Sequence, residues 1–392
     1  MVQAAAATQA GWSSEDEAQL FEAIHRWIER EVKPIAKQFD HADEYPEKLV
    51  EQMKELGLFG ATVSQQYGGL GLSATAYAKI VEMISSVWMA PTGIFNSHLI
   101  MATCVERFGT EEQKSQFLPL FASGELRGGL ALTEPNAGSD LQSIRTTARL
   151  DGDEYIVNGT KTWITNGIYG SCFALLVKTD PQAEPRHRGM SLLLAEKGEG
   201  FSVSRKLKKL GYKSIDSAEL IFNDFRISAD RLVGAVEGRG FQHVAGGLEL
   251  GRINVAARGV GLAAGALRDA LQYAQEREAF GKPIAKHQSI QIKLADMATR
   301  AEAARLLVEK AARKYDQGER CDLEAGMAKL FGSEAAMENS AQALRIFGGY
   351  GYSTEFDVER YYRDAPLMCI GEGTNEIQRI IIAKQLVERS AE

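Results

Sequence analysis

Paired cysteines, metal-type histidine spacing, an excess of basic charge and long apolar runs are all missing from this chain. The four cysteines, Cys104, Cys172, Cys321 and Cys369, are scattered with no paired spacing, which argues against a disulfide framework and for reduced thiols. The six histidines show no His-x-x-x-His spacing, so no metal site is expected. A formal net charge of −7 leaves no basic footprint for a nucleic-acid partner. No uncharged run approaches the length of a bilayer span, so membrane insertion is not expected. The opening MVQAAAATQAGWSSEDEA lacks a positive n-region and turns acidic early, unlike a signal or transit peptide. These absences together describe a soluble, cytoplasmic protein.

What is present is ordinary globular composition, 45% hydrophobic and 25% charged over 392 residues, enough for two or three domains. Residues 1–128 read mainly as helices. In SSEDEAQLFEAIHRWIEREVKPIAKQFD, Ser14 is placed to cap an acidic first turn, and Leu20, Ile24, Trp27 and Ile28 fall on one face before Pro34. From 129 to 240 the pattern changes to short β-rich runs, including EYIVNGTKTWITNG, where Asn158-Gly159 predicts a hairpin turn. Residues 241–392 return to long helical segments. The expected fold is α+β: an N-terminal helical domain, a central antiparallel β domain and a C-terminal helical bundle.

Two glycine-rich stretches suggest nucleotide loops and fail the context test. GVGLAAG (259–265) has the wrong spacing, and GGYGY (348–352) follows a helix, so close helix packing is the better account of the first. Three other stretches carry more. ALTEPNAGSD (131–140) predicts a tight turn at a strand end, where Ser139 and the loop amides can bond a polar ligand edge. KTWITNG (161–167) sets Trp163 two residues before Thr165, on one face of a strand, which suits a flat heteroaromatic ring; the plain alternative is a core tryptophan and an exposed threonine. CIGEGTNEIQR (369–379) holds Glu372 between two glycines, ahead of a helix that Thr374 or Asn375 can cap and whose Ile377, Ile380, Ala383 and Val387 share a face. A solvated loop acid is the plain alternative there.

Taken in order with EREAFGKPIAKHQSIQIKLADMA (276–298) and RIFGGYGYSTEFDVERYYRDA (345–365), these motifs resemble the acyl-CoA dehydrogenase family over residues from about 15 to the end. The resemblance implies the helix–sheet–helix fold, FAD, an acyl-CoA substrate, electron-transferring flavoprotein as partner, a role in fatty or carboxylic acid catabolism, and a homotetramer built from two dimers. It would set Leu130, Leu132, Thr133, Gly138 and Ser139 along the flavin ring, with Trp163 and Thr165 at its reactive edge. Arg277, Phe280 and Gln288 would reach the FAD of a neighbouring subunit. Arg345, with Gly348 and Gly349, would meet the pyrophosphate, although many members carry glutamine at that arginine; Thr374 and Glu376 would meet the adenosine half. Ser139, Arg252, Gly371 and Gly373 would contact the thioester substrate.

Glu372 occupies the family's usual base position. The alternative base position, just before Arg252, is Gly251, which cannot take a proton, and Glu249 lies about 200° away around a helix. Gly371 stands where many straight-chain members carry tyrosine, which suggests a bulky acyl chain. The segment WMAPTGIFNSHL lacks the arginine that glutaryl-CoA dehydrogenases use for a distal carboxylate, since Ala90 falls near that place. The competing readings are an acyl-CoA oxidase on the same fold and a non-catalytic acyl-CoA-binding scaffold.

Overall fold

The computed structural model describes residues 12–390. Six helices come first: α1 (Ser14–Trp27), α2 (Lys33–Ala42), α3 (Glu47–Glu55), α4 (Ala74–Ser85), α5 (Ala90–Phe108) and α6 (Glu111–Ala122). The cap of α1 is Ser13 rather than Ser14: its hydroxyl accepts from the Asp16 amide, and the Asp16 side chain returns the bond. Nor does Pro34 end the helix. A π-helical turn at Ile28–Val32 loosens the ladder, so the proline falls in the first turn of α2, where its missing N–H costs nothing. Ile24, Trp27 and Ile28 are buried as their spacing predicts.

The middle of the chain forms β1 (Gly128–Ala131), β2 (Thr147–Asp151), β3 (Glu154–Thr165), β4 (Cys172–Lys178), β5 (Met190–Glu196), β6 (Phe201–Lys206) and β7 (Ser217–Ser228). They make one sheet in the order β1-β4-β2-β3-β7-β6, with β5 on β4. Most pairs are antiparallel, but β4 runs parallel to β1, from Gly128↔Cys172 to Ala131↔Leu175, and to β2 at Thr147↔Lys178. The expected hairpin at Asn158-Gly159 is absent. β3 runs straight through as one strand with a bulge there; the Asn158 side chain donates to the Asp224 carboxylate on β7 and accepts from the Asp224 amide. The hairpin turn is Gly152–Asp153 instead, joining β2 to β3.

Alternation joins sheet to helices. Cys172, Ala174 and Leu176 of β4, with Met190, Leu192 and Leu194 of β5, face the core shared with the helices. Phe173, Leu175 and Val177, with Leu193 and Ala195, face a second core inside the sheet region. Two strands buried on both faces read as unbroken apolar runs for this reason.

The last region contains α7 (Gly240–Glu276), a short hairpin β8 (Glu278–Ala279) and β9 (Lys282–Pro283), then α8 (Gln288–Asp316), α9 (Asp322–Phe347), α10 (Val358–Ile370) and α11 (Asn375–Ser390). Helix α7 packs closely, as GVGLAAG suggested: a Cβ on Gly259 would lie 2.5 Å from the Gly332 carbonyl of α9. Helix α11 departs from its expected face. Its buried residues are Asn375, Gln378 and Gln385, while Ile380, 64% exposed, and Val387, 70% exposed, look outward. Among the described residues no helix is long and apolar enough to cross a membrane.

His98 ties α5 to both neighbours. Its Nε2 lies 2.9 Å from the Phe121 carbonyl and its Nδ1 accepts from the Gly128 amide. Burial pushes its pKa from 6.5 down to about 4. The folded state therefore keeps the ring neutral while the unfolded chain takes up the proton, so stability falls as pH drops from about 6.5 toward 4. Urea unfolding across that window should show the decline, and His98→Gln should flatten it; an unchanged slope in the variant would contradict the assignment.

Candidate active site

The candidate residues gather into three groups. The first lies at the end of β1 and along β3. Past Ala131 the chain turns, and the Glu134 side chain folds inward to accept bonds from the Arg145 amide (2.6 Å), the Thr146 amide (2.9 Å) and Lys161 Nζ (2.8 Å). Burial alone would raise the Glu134 pKa, but the Lys161 ammonium and these donors hold it below the usual carboxylate value. Lys161 also donates to the Leu132 carbonyl at 3.0 Å, and the Thr162 amide donates to the Thr133 carbonyl at 2.8 Å. The TEPNAGSD and KTWITNG stretches are thereby locked together, with Leu130, Leu132 and Thr133 beside β3. Glu134 and Lys161 were not among the candidates, although an acid in one motif and a lysine in the other was the available signal.

Trp163 is 58% exposed, which rules out a core tryptophan. It sits at a second bulge in β3 with φ +62°, a left-handed angle uncommon for a bulky residue. Thr165 is half-buried, while Ile164 between them is buried. Gly138 and Ser139 lie exposed on the loop, with open space where a Gly138 Cβ would be.

The second group occupies one end of the helical bundle. Arg277 caps α7, and the β8–β9 turn carries Phe280 at φ +51° and 97% exposed. Gln288 opens α8. Arg345 lies in the last turn of α9, followed by Gly348 at φ +61° and Gly349, both with open space beside them. Tyr273 of α7 stacks on Phe347 of α9 at 4.1 Å, which brings the two sets to one end. Neither Arg277 nor Arg345 has an ion pair among the described residues.

The third group surrounds Glu372. Gly371 ends α10 at an ordinary φ of −72°, so the unusual backbone belongs to Glu372 itself, at φ +53°, and to Gly373, at φ +89°. Thr374 accepts from the Ile377 amide at 3.3 Å and so starts α11. Asn375 turns inward to Lys329 and Ser333 instead. Thr374 and Glu376 thus sit two and four residues past Glu372, with Glu376 exposed near Arg379. A Cβ on Gly371 would make only ordinary contact with Leu367, so a larger side chain has room.

Glu372 is no solvated loop acid; 21% of its side chain is exposed. Its Oε1 accepts from Asn96 Nδ2 of α5 at 2.8 Å and from Arg258 Nη2 of α7 at 3.1 Å. Its Oε2 is buried without a partner among the described residues, 2.5 Å from where a Gly251 Cβ would stand. Glycine at 251 is therefore what admits the carboxylate. Burial raises the Glu372 pKa, opposed by Arg258, Asn96, Lys329 and Arg252. Glu249 turns away to Arg107 at 3.1 Å, as its helical angle predicts. Arg252 is largely buried, and its Nε has no partner among the described residues. Around this acid, Tyr77, Tyr212 and Asn254 extend the network: Asn254 donates to Tyr77, and Arg258 donates to the Tyr212 hydroxyl at 3.3 Å.

A carboxylate with one oxygen anchored and the other dry and unbonded is suited to accepting a proton. No group of three or more His, Cys, Asp or Glu among the described residues can hold a metal ion. Residues 14–125, 129–225 and 238–387 match the N-terminal, middle and C-terminal domains of acyl-CoA dehydrogenase, respectively. An acyl-CoA dehydrogenase of Bacillus subtilis is 42% identical over 376 residues, spanning 95% of this chain and 98% of that protein. The structure of butyryl-CoA dehydrogenase from Megasphaera elsdenii is 35% identical, with a TM-score of 0.91 over 97% of this chain and 100% of its own. PigA, solved with FAD and proline, is 30% identical with a TM-score of 0.91, over 97% and 100% of the two chains. The chain belongs to the acyl-CoA dehydrogenase family, oxidoreductases that act on the CH–CH group.

Proposed function

We propose that this chain carries out FAD-dependent α,β-dehydrogenation of an acyl-CoA thioester to the trans-2-enoyl-CoA, with Glu372 as the base. The observation that carries this reading is the divided carboxylate: Oε1 fixed by Asn96 and Arg258, Oε2 buried and free.

The residues fit FAD. Trp163 presents an exposed indole, open backbone lies at Gly138, Gly348 and Gly349, and the Arg277 and Arg345 side chains have no partner among the described residues. Leu130, Leu132, Thr133, Ser139, Trp163 and Thr165 would hold the ring, and Arg345, Gly348 and Gly349 the pyrophosphate, with Arg277, Phe280 and Gln288 contributed by a neighbouring copy. Thr374 and Glu376 would serve the adenosine half. FAD supplies the acceptor for the hydride that leaves Cβ.

The protein's own work is done at Glu372. Its Oε2 takes the α-proton as the Cα–Cβ double bond forms. The Glu372 amide makes no hydrogen bond among the described residues and is free to donate to the thioester carbonyl, where negative charge develops. Arg252, Ser139, Gly371 and Gly373 border the substrate, and the room at Gly371 suits a bulky acyl group. Electrons then pass to electron-transferring flavoprotein, and the four free cysteines agree with a reducing, cytoplasmic location.

Denaturing the purified protein should release FAD. Glu372→Gln should keep FAD and bind acyl-CoA, yet reduce its flavin at least ~10²-fold more slowly, the scale of a positioned general base. Reduction at the wild-type rate would remove Glu372 from this role, and a stable preparation without flavin would remove the reading altogether.

A homotetramer of two dimers is the expected assembly. Phe280 stands 97% exposed on a hairpin tip, and Ile380, Leu386 and Val387 form an uncovered apolar stripe on α11. Light scattering should give a mass of four chains, with dimers as the smallest active unit. A fully active monomer that retains FAD would contradict this.

A further inference from the structure

We propose that the Arg258 guanidinium receives an anion carried on the acyl group, so that the substrate is the coenzyme A thioester of a short dicarboxylic acid. This rests on the reading of Glu372 as the base. Arg258 is deeply buried, with 4% of its side chain exposed. One of its nitrogens meets Glu372, another meets only the neutral phenol of Tyr212, and Nε meets nothing among the described residues. A guanidinium has five N–H donors, and the chain leaves this one undersupplied with acceptors.

Charge during the reaction sharpens the point. Arg258, Lys329 and Arg252 all act on the single carboxylate of Glu372. When that carboxylate takes the α-proton it becomes neutral, and Arg258 loses its only anionic partner. A buried cation without a counter-charge is strongly unfavourable. An alkyl chain entering beside it offers no acceptor and excludes water. A carboxylate on the chain does the opposite, because its two oxygens match the guanidinium fork.

The neighbours agree. Asn96, Tyr77, Asn254 and Tyr212 line this region where an aliphatic chain would call for aliphatic side chains, and Asn254 Oδ1 has no partner among the described residues. Arg258 touches the base directly, so the anion must lie only a few bonds from the α-carbon. That limits the acid to a short one.

The holoenzyme is assayed with an artificial electron acceptor on glutaryl-CoA, adipoyl-CoA, hexanoyl-CoA and octanoyl-CoA. At least one dicarboxylic thioester should exceed both neutral ones by about 10²-fold in kcat/KM, a conservative figure for a site built to bond a substrate group. Arg258→Gln should abolish that ratio, and Arg258→Lys should keep part of it. Calorimetry on the Glu372→Gln holoenzyme should show glutaryl-CoA binding more tightly than hexanoyl-CoA, with the difference lost in the Glu372→Gln, Arg258→Gln double variant. Oxidation and binding that favour the neutral thioesters, or a ratio unchanged in Arg258→Gln, would overturn the anion site and leave the dehydrogenase reading standing. If neither class of thioester is bound or oxidised, the anion site falls, while flavin reduction by a branched or cyclic acyl-CoA would keep the dehydrogenase reading standing.

Discussion

The structure turns on one carboxylate oxygen held by two helices distant in sequence. Glu372 Oε1 meets Asn96, 276 residues before it, and Arg258, 114 residues before it. Two charge-assisted bonds on one oxygen leave the other oxygen with its direction fixed and its lone pairs unused. Holding that geometry requires α5, α7 and the loop after α10 to approach closely. Small residues make this possible: Gly251 clears space for Oε2, and Gly93 clears space for the Tyr212 hydroxyl, which would otherwise lie 1.4 Å from a Cβ. The positive φ at Glu372 is a cost that the surrounding bonds sustain, as is common where a side chain must be aimed.

The sheet has a different task and is tied down by different means. Its strands alternate between two cores, so β4 and β5 cannot move without disturbing the helices. At its edge, the buried Glu134–Lys161 pair fixes two loops against each other, and the bulge at Trp163 points an indole away from the core. A buried pair of this kind adds little net stability, but removing one partner would strand the other. Its value here is positional: it keeps Thr133 next to β3.

Much of this was legible in the sequence because it depends on local pattern. The helix–sheet–helix order follows from hydrophobic period, and Glu372 stands out by its glycine neighbours and by the motifs that accompany it. What escaped depends on long-range contacts. Asn158-Gly159 has the composition of a hairpin turn, but pairing with β7 keeps the strand straight and turns the dipeptide into a bulge. On α11 the apolar stripe was visible while its direction was not, since polar Asn375 and Gln378 are the residues drawn inward, Asn375 by buried Lys329 and Ser333. Arg258 is the instructive miss. It follows Gly251 by seven residues, two helical turns, so the position already known to face the base also marked Arg258 as facing it.

The central claim is that the free oxygen of Glu372 takes a proton from the α-carbon. Proton removal can be observed apart from oxidation by using an acyl-CoA analogue with sulfur in place of the β-carbon, from which no hydride can leave. Incubated in D2O with the holoenzyme and followed by NMR, its α-hydrogens should exchange for deuterium, and with Glu372→Gln the exchange should slow by at least ~10²-fold. Equal exchange in the two proteins would place the base elsewhere.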